Sequence, residues 1–295
     1  MSSGVKKITI IGFGLIGGSL GMAFKAAQGA AVLITAVDHD PKTVAASLKL
    51  GAADQGTDDP TAGVQDADLI FLCTPVLQIP ALVKTIAPHL KKGAIVSDVC
   101  STKGYVMECM EKDLPDHCSY IAGHPMAGRE LSGVGAAHKD LFKGRWYILI
   151  PHAKASPQAL EQVGEVVGWT EAQITVMDVD RHDWCTAVIS HLPHVAAAAM
   201  VNLLAQSPDE TGADCGPLYH KLAGGGFRDT TRIASSNPDM WADVCLTNDT
   251  AIIKNLERFQ GILNQVIAQI REGDRQGLYD YFAAAQQSRN RLLDI

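Results

Sequence analysis

The sequence predicts an α/β domain followed by an all-α domain: a doubly wound, parallel sheet covered by helices, then a helical region. Three observations carry this prediction. Continuous β-branched apolar runs alternate with helical patterns through the first 178 residues, the pattern of a parallel sheet buried on both faces. A glycine-rich turn joins the first strand to the first helix. After residue 178 the pattern changes to long helices with few strand candidates, so we expect domains at 1–178 and 179–295.

The elements follow in order. KITIIG (7–12) is a short β-branched run and 15–27 a helix; 32–38 is the second strand. Residues 41–51 form a helix opened by Pro41 and closed by Gly51. Strand 67–75 ends at Thr74-Pro75, and 78–90 is mostly helical despite its prolines. Then come strand 93–99, helix 105–114, strands 119–125 and 145–151, helix 156–169 and strand 173–178. The second half reads as helices at 180–206, 248–274 and 275–294. Long apolar helices beside a nucleotide-binding domain often pack against a copy of themselves, so a homodimer through the helical domain is expected.

The chain has 295 residues, 47% of them hydrophobic and 19% charged, enough for a sizeable core. A net charge of −7 gives no basic face for nucleic acid. The seven cysteines are odd in number and scattered, with no CxxC pair. This indicates reduced thiols in a cytoplasmic protein, without a disulfide framework or a metal site. The N-terminus enters a strand directly and shows no leader pattern. No apolar run approaches the roughly 20 residues a membrane helix needs, so no membrane partner is expected.

GFGLIG supplies Gly12, Gly14 and Gly17, spaced G-x-G-x-x-G around Leu15 and Ile16. The pattern alone is weak. Here it follows a predicted strand and opens a helix, the context of a Rossmann-type dinucleotide site. The first glycine allows the tight turn, the second admits a pyrophosphate, and the third lets helix pack on strand. The helix N-terminus then offers N–H groups to the phosphates. Asp38 ends the second strand, 21 residues after Gly17. A carboxylate there accepts from ribose hydroxyls and repels a 2′-phosphate, which favours NAD over NADP. Thr74 and Pro75 end the third predicted strand, where they can pass the nicotinamide side of the cofactor.

Ser101, Thr102 and Lys103 follow the next strand, and His124 in GHPMAG follows the one after, so these side chains are expected to project into one crevice. With NAD bound there, oxidation of a carbinol needs a proton acceptor, and an imidazole has a suitable pKa. His124 is the candidate base. In the helical half, SHLPH holds Ser190, His191 and His194. No HExxH-type acid accompanies these histidines and Pro193 interrupts the turn, so a ligand-facing polar patch is the better reading than a metal site. Arg228 and Arg232 flank Asp229 in a second polar stretch. One of them suits a substrate carboxylate, and the other an ion pair with Asp229 or Glu130.

Together GFGLIGGS, DVCSTKG, GHPMAGRE, SHLPH and GGGFRDTTRIASSNPDMW, in this order, resemble the prephenate/arogenate (cyclohexadienyl) dehydrogenase family of tyrosine biosynthesis. The resemblance implies a Rossmann domain followed by a helical dimerisation domain, and NAD(P)-linked oxidative decarboxylation of a cyclohexadienyl acid. It implies His124 as the catalytic histidine and Ser101 as the serine that orients the substrate hydroxyl. It places substrate contacts at Ser190, His194 and the carboxylate-binding Arg232. Glu130 matches an acid that gates the pocket, and Trp241 an aromatic near its entrance. Two other readings compete: a β-hydroxyacid dehydrogenase using Lys221, and a non-catalytic NAD-binding redox sensor.

Overall fold

The computed structural model describes residues 4–129, 131–153, 155–205 and 215–293. Among them, eight strands form one sheet: β1 (Lys7–Ile11), β2 (Leu33–Val37), β3 (Gln55–Thr57), β4 (Leu69–Leu72), β5 (Ile95–Asp98), β6 (Ser119–Pro125), β7 (Trp146–Pro151) and β8 (Gln173–Val176). Their order is β3-β2-β1-β4-β5-β6-β7-β8. Strands β1 to β6 run parallel. The order reverses direction between β1 and β4, the switch point where such sheets bind ligands.

Two features depart from the expected all-parallel sheet. Strand β7 is antiparallel to β6, and β8 is parallel to β7. A parallel return needs a crossover, usually a helix. The connection from β6 to β7 holds only the short 3₁₀ turn Val134–Ala136 among the described residues, so the chain folds straight back. Strand β3 escapes the sequence reading because Gln55, Gly56 and Thr57 carry no apolar alternation; backbone pairing to β2 alone makes it a strand.

Helices α1 (Leu15–Gln28), α2 (Pro41–Lys49), α3 (Pro60–Val64), α4 (Ile79–Ile86), α5 (Gly104–Asp113) and α6 (Pro157–Gly168) connect the strands. Alternate residues of β4 enter opposite cores: Leu69 and Phe71 in one, Ile70 and Leu72 in the other. Leu20 and Phe24 of α1 and Val163 and Val166 of α6 complete the first core. Ile79 and Val83 of α4 and Val106 and Met110 of α5 complete the second. Each such buried side chain stabilises the fold by about 1.5–3 kcal/mol.

The helical part begins with α7 (Val179–Thr186), a π-turn (Ala187–His191) and α8 (Leu192–Ala205). The backbone carries one helix through these three segments. The run Val179–Leu204, 26 residues with a mean hydropathy of 1.5 over its most apolar window, is long and apolar enough to cross a membrane by length and composition. This corrects the expectation that no run approaches that length. The polar residues His182, Thr186 and His191 within this run are buried in the fold. Helices α9 (Gly216–Leu222), α10 (Gly225–Thr231) and α11 (Pro238–Thr247) follow, with a 3₁₀ turn at Arg232–Ser235. That turn packs on α8, and α11 packs on the Val76–Gln78 turn just beyond Thr74-Pro75. Sheet and helices through Asp249 form one compact unit, and Thr250–Ile295 a second. The second holds most of α12 (Asp249–Glu272) and α13 (Arg275–Leu293), with Asp274 capping α13 through the Gly277 N–H at 2.9 Å. On α12, Ile262, Leu263, Ile267 and Ile270 are exposed in a single copy of the chain.

The first helix depends on close approach at Gly17, where a Cβ would lie 2.3 Å from the Gly12 carbonyl oxygen. Gly17→Ala is therefore expected to lower stability by about 1–3 kcal/mol through overpacking. Thermal melts check this; an unchanged Tm would mean that α1 is not held this tightly against β1.

Candidate active site

The C-terminal ends of β1, β2, β4, β5 and β6 lie on one edge of the sheet and carry the glycine fingerprint, Asp38, Thr74, Ser101 and His124. Gly12 has φ +88°, and a Cβ there would lie 2.7 Å from the Cys73 carbonyl carbon, so only glycine fits. A Cβ on Gly14 would meet nothing within 4 Å. No packing within the chain demands glycine there, which leaves room for a ligand's approach. The first bond of α1 runs from the Gly18 N–H to the Gly14 carbonyl. The N–H groups of Leu15, Ile16 and Gly17 therefore have no partner within the helix and face that space. This donor set fits a pyrophosphate. Asp38 Oδ2 accepts from the Phe13 N–H at 2.9 Å and Oδ1 from the Asp40 N–H at 3.0 Å. Its carboxylate thus ties the fingerprint turn to β2 and keeps further lone pairs for ribose hydroxyls. The Thr74 hydroxyl is buried without a hydrogen-bond partner, a further group that a bound ligand can satisfy. Pro75 follows it and opens the turn that α11 covers.

His124, at the end of β6, is buried and does not stand alone. Its Nδ1 lies 2.8 Å from His182 Nε2, and His182 Nδ1 lies 2.7 Å from Asp183 Oδ1. The carboxylate can only accept, so His182 carries its proton on Nδ1. His182 Nε2 is then an acceptor and His124 Nδ1 a donor. His124 Nε2 is left as a bare lone pair, the form a general base requires. Burial, and then the neighbouring His182, Lys103 and His191, hold His124 well below the usual histidine pKa, so it is neutral. Burial also lowers His182, against the opposing pull of Asp183. Asp183 remains below the usual carboxylate range: burial raises it, but His182 and the Gly104 and Lys103 N–H groups outweigh burial. Those two N–H groups, at 2.8 and 2.9 Å, open α5, so Asp183 also caps that helix.

Below His124 lies a buried ion pair. Lys103 Nζ bonds Asp98 Oδ2 and donates to the Gly123 carbonyl at 2.7 Å. Asp98 also accepts from the Tyr120 hydroxyl at 2.7 Å and from the Cys100 N–H at 2.9 Å. This corrects the expectation that Thr102 and Lys103 project with Ser101 toward the cofactor. Lys103 is fully buried and turned under β6, and the Thr102 hydroxyl meets that of Thr247 at 2.8 Å. Ser101 is half-buried in the turn that follows β5.

From the helical part, Ser190 lies in the π-turn and its carbonyl accepts from His194 Nδ1 at 2.9 Å. The His194 ring stacks on Trp241, with centroids 3.7 Å apart. His191 and Trp241 meet edge-on at 6.0 Å. Arg232 stands exposed at the start of the turn packed on α8, Arg228 is exposed on α10 and Lys221 on α9. Glu130 lies outside the described residues. His182, Asp183 and Asn248 were not singled out from the sequence. The adjacent His-Asp in DRHDW was the available signal, but it reads equally well as a solvated helix start. Among the described residues no group of three or more His, Cys, Asp or Glu could hold a metal ion.

A dinucleotide cradle facing a neutral, aimed imidazole defines the class: a nicotinamide-dependent dehydrogenase. Residues 20–176 match the family model for the nucleotide-binding domain of prephenate dehydrogenase, and residues 178–284 that for its dimerization domain. The chain belongs to the prephenate dehydrogenase family. It is 35% identical over 286 residues to prephenate dehydrogenase of Bacillus subtilis, covering 97% of this chain and 76% of that protein. The crystal structure of Aquifex aeolicus prephenate dehydrogenase with hydroxyphenyl propionate and NAD+ superposes with a TM-score of 0.90 at 31% identity, covering 99% of both chains. Synechocystis arogenate dehydrogenase superposes at 0.83 and 30% identity, covering 97% of this chain and 99% of that one. This membership displaces the β-hydroxyacid dehydrogenase and redox-sensor readings.

Asp183→Asn should remove the negative charge and one of the two acceptor oxygens behind His182 and lower kcat by about 100-fold or more, with NAD affinity unchanged. Steady-state kinetics and NAD titration check it, and an unaltered kcat would detach Asp183 from the base. Acid should destabilise the fold. The unfolded chain protonates its histidines near their ordinary pKa of 6.5, while the folded chain holds His124, His182 and His191 neutral below it. Stability is then complete above that value and falls as pH drops through it. For His191, which burial brings to about 4, the loss is about 3 kcal/mol across that interval. Asp183 adds a loss of the same sign below pH 3.8. Thermal melts from pH 7.5 to 4 check this, and a flat profile would contradict it.

Proposed function

We propose that this chain catalyses the NAD-dependent oxidative decarboxylation of prephenate to 4-hydroxyphenylpyruvate, in the cytoplasm and as a homodimer through its helical part, which begins near residue 178. The observation that carries this reading is the Asp183–His182–His124 chain, which leaves His124 Nε2 bare beside the dinucleotide cradle. Family membership and the dimerization-domain match support it.

NAD, when bound, supplies the two-electron acceptor for the ring carbon that bears the hydroxyl. His124 Nε2 takes the hydroxyl proton, and the positive charge that forms is shared through His182 toward Asp183. Ser101 holds the hydroxyl toward His124. The new ring carbonyl is then the electron sink for loss of CO₂, and the aromatic product makes that step effectively irreversible. The chain therefore needs no separate base for decarboxylation. Arg232 holds a substrate carboxylate through its guanidinium fork. Ser190 and His194 meet the side chain, Trp241 closes over it beside His194, and Glu130 gates the entrance. Asp38 favours NAD over NADP, because a 2′-phosphate would lie against its carboxylate.

The test is nicotinamide reduction followed in the near ultraviolet, with prephenate and L-arogenate, each with NAD and NADP. Prephenate with NAD should be the best pair, with NADP at least about tenfold slower. His124→Asn should lower kcat by about 10²–10⁴-fold while NAD affinity stays within about twofold. Reduction with neither acid, or wild-type kcat in the variant, would overturn the reading; faster turnover of arogenate would change the substrate.

A further inference from the structure

His191 is fully buried at the end of the π-turn Ala187–His191. Such single π-turns inside α-helices are rare and frequent at functional sites. The base chemistry above does not use this residue, yet its protonation is set by its surroundings. Asn248 Nδ2 lies 2.8 Å from the Asp183 carbonyl oxygen and 3.2 Å from His191 Nδ1. The carbonyl can only accept, so the amide must turn its NH₂ toward it. The second amide hydrogen then points at His191 Nδ1, which must be the unprotonated nitrogen. His191 carries its proton on Nε2, and burial keeps the ring neutral by bringing its pKa to about 4.

That Nε2–H is buried without a hydrogen-bond partner, and so is the indole Nε1–H of Trp241. The two rings are neighbours, with centroids 6.0 Å apart and planes at 73°, and Trp241 stacks on His194. A buried donor left unmade is costly, and two in one wall call for an acceptor. Both donors are neutral. A carboxylate placed there would lose its hydration without a compensating charge, whereas a ketone oxygen would gain what the donors lack. An ammonium group accepts nothing and would leave both donors unmade.

We propose that His191 Nε2–H and Trp241 Nε1–H form a neutral donor pair that takes the side-chain ketone oxygen of the substrate and so selects the 2-oxo acid over the 2-amino acid. This rests on the substrate reading above and names the residues that would decide between its two candidates. His191 and Trp241 are specificity-determining groups, and Asn248 is a positioning residue that sets the tautomer of His191.

The experiment is calorimetric binding of 4-hydroxyphenylpyruvate and L-tyrosine to the NAD-loaded protein. The two ligands share a ring and differ at the 2-position. In His191→Leu the ratio of 2-oxo to 2-amino affinity should fall about 10- to 100-fold. His191→Gln places an amide N–H at a similar reach and should recover most of the ratio; a merely structural role would give no such recovery. Nitrogen-15 NMR of the histidine-labelled protein should show His191 with a protonated Nε2 that shifts with the 2-oxo ligand. An unchanged ratio in His191→Leu, a parallel loss for both ligands, no recovery in His191→Gln, or a proton on Nδ1 would each overturn the proposal. Because binding needs no turnover, an enzyme inactive with both acids would fail the assay of the preceding section, not this one.

Discussion

The carboxylate of Asp183 joins the helical part to the sheet, and much of the site depends on it. One side chain accepts from the Lys103 and Gly104 N–H groups at the start of α5 and from His182. The carbonyl of the same residue orients Asn248. Donors from the start of α5, from α7 and from Asn248 therefore converge on one residue at the boundary between two structural layers. An anion at the N-terminus of α5 is favourable in its own right. The same charge sets the direction of every proton in the His182–His124 chain. Helix capping and base activation are thus one interaction, and the catalytic tautomer is built into the way the two layers meet.

A second charge arrangement supports the first from beneath. Lys103 and Asp98 are fully buried, and a buried ion pair is weak grounds for stability because desolvation offsets the attraction. Its effect here is geometric. Lys103 grips the carbonyl of Gly123, the residue before His124, while Asp98 gathers Tyr120 and Cys100 around the same point. The cation also adds to the burial that keeps His124 neutral. The imidazole is therefore held in position and uncharged by groups that never touch a substrate.

The helical wall extends this logic to polar groups left without partners. Thr74 Oγ1, His191 Nε2 and Trp241 Nε1 are buried and unpaired at the sheet edge or on the helices that cover it. Two others among the described residues, Ser97 Oγ and Tyr147 OH, lie within the sheet itself. Around a cradle shaped by Gly12 and left open at Gly14, the first three describe a surface matched to molecules that bring their own acceptors and donors.

Much of this was legible in the chain. The alternation of apolar runs with helical patterns predicts the doubly wound sheet, because burial on both faces demands it. The spacing of Gly12, Gly14 and Gly17 and the place of Asp38 predict the cradle, because a tight turn and a close approach are local requirements. His124 stood out because a turn beside a strand end displays its side chain. Local patterns could not show the reversal of β7, which follows from a connection without a crossover helix, or β3, which has no apolar signal. Nor could they show that Lys103 turns inward, or that His182, Asp183 and Asn248 orient His124 and His191. Three of the decisive contacts join residues 58, 65 and 80 positions apart. Hydrogen bonds of that kind leave no periodicity; they exist only once packing has brought a helix start and a strand end within 3 Å of each other.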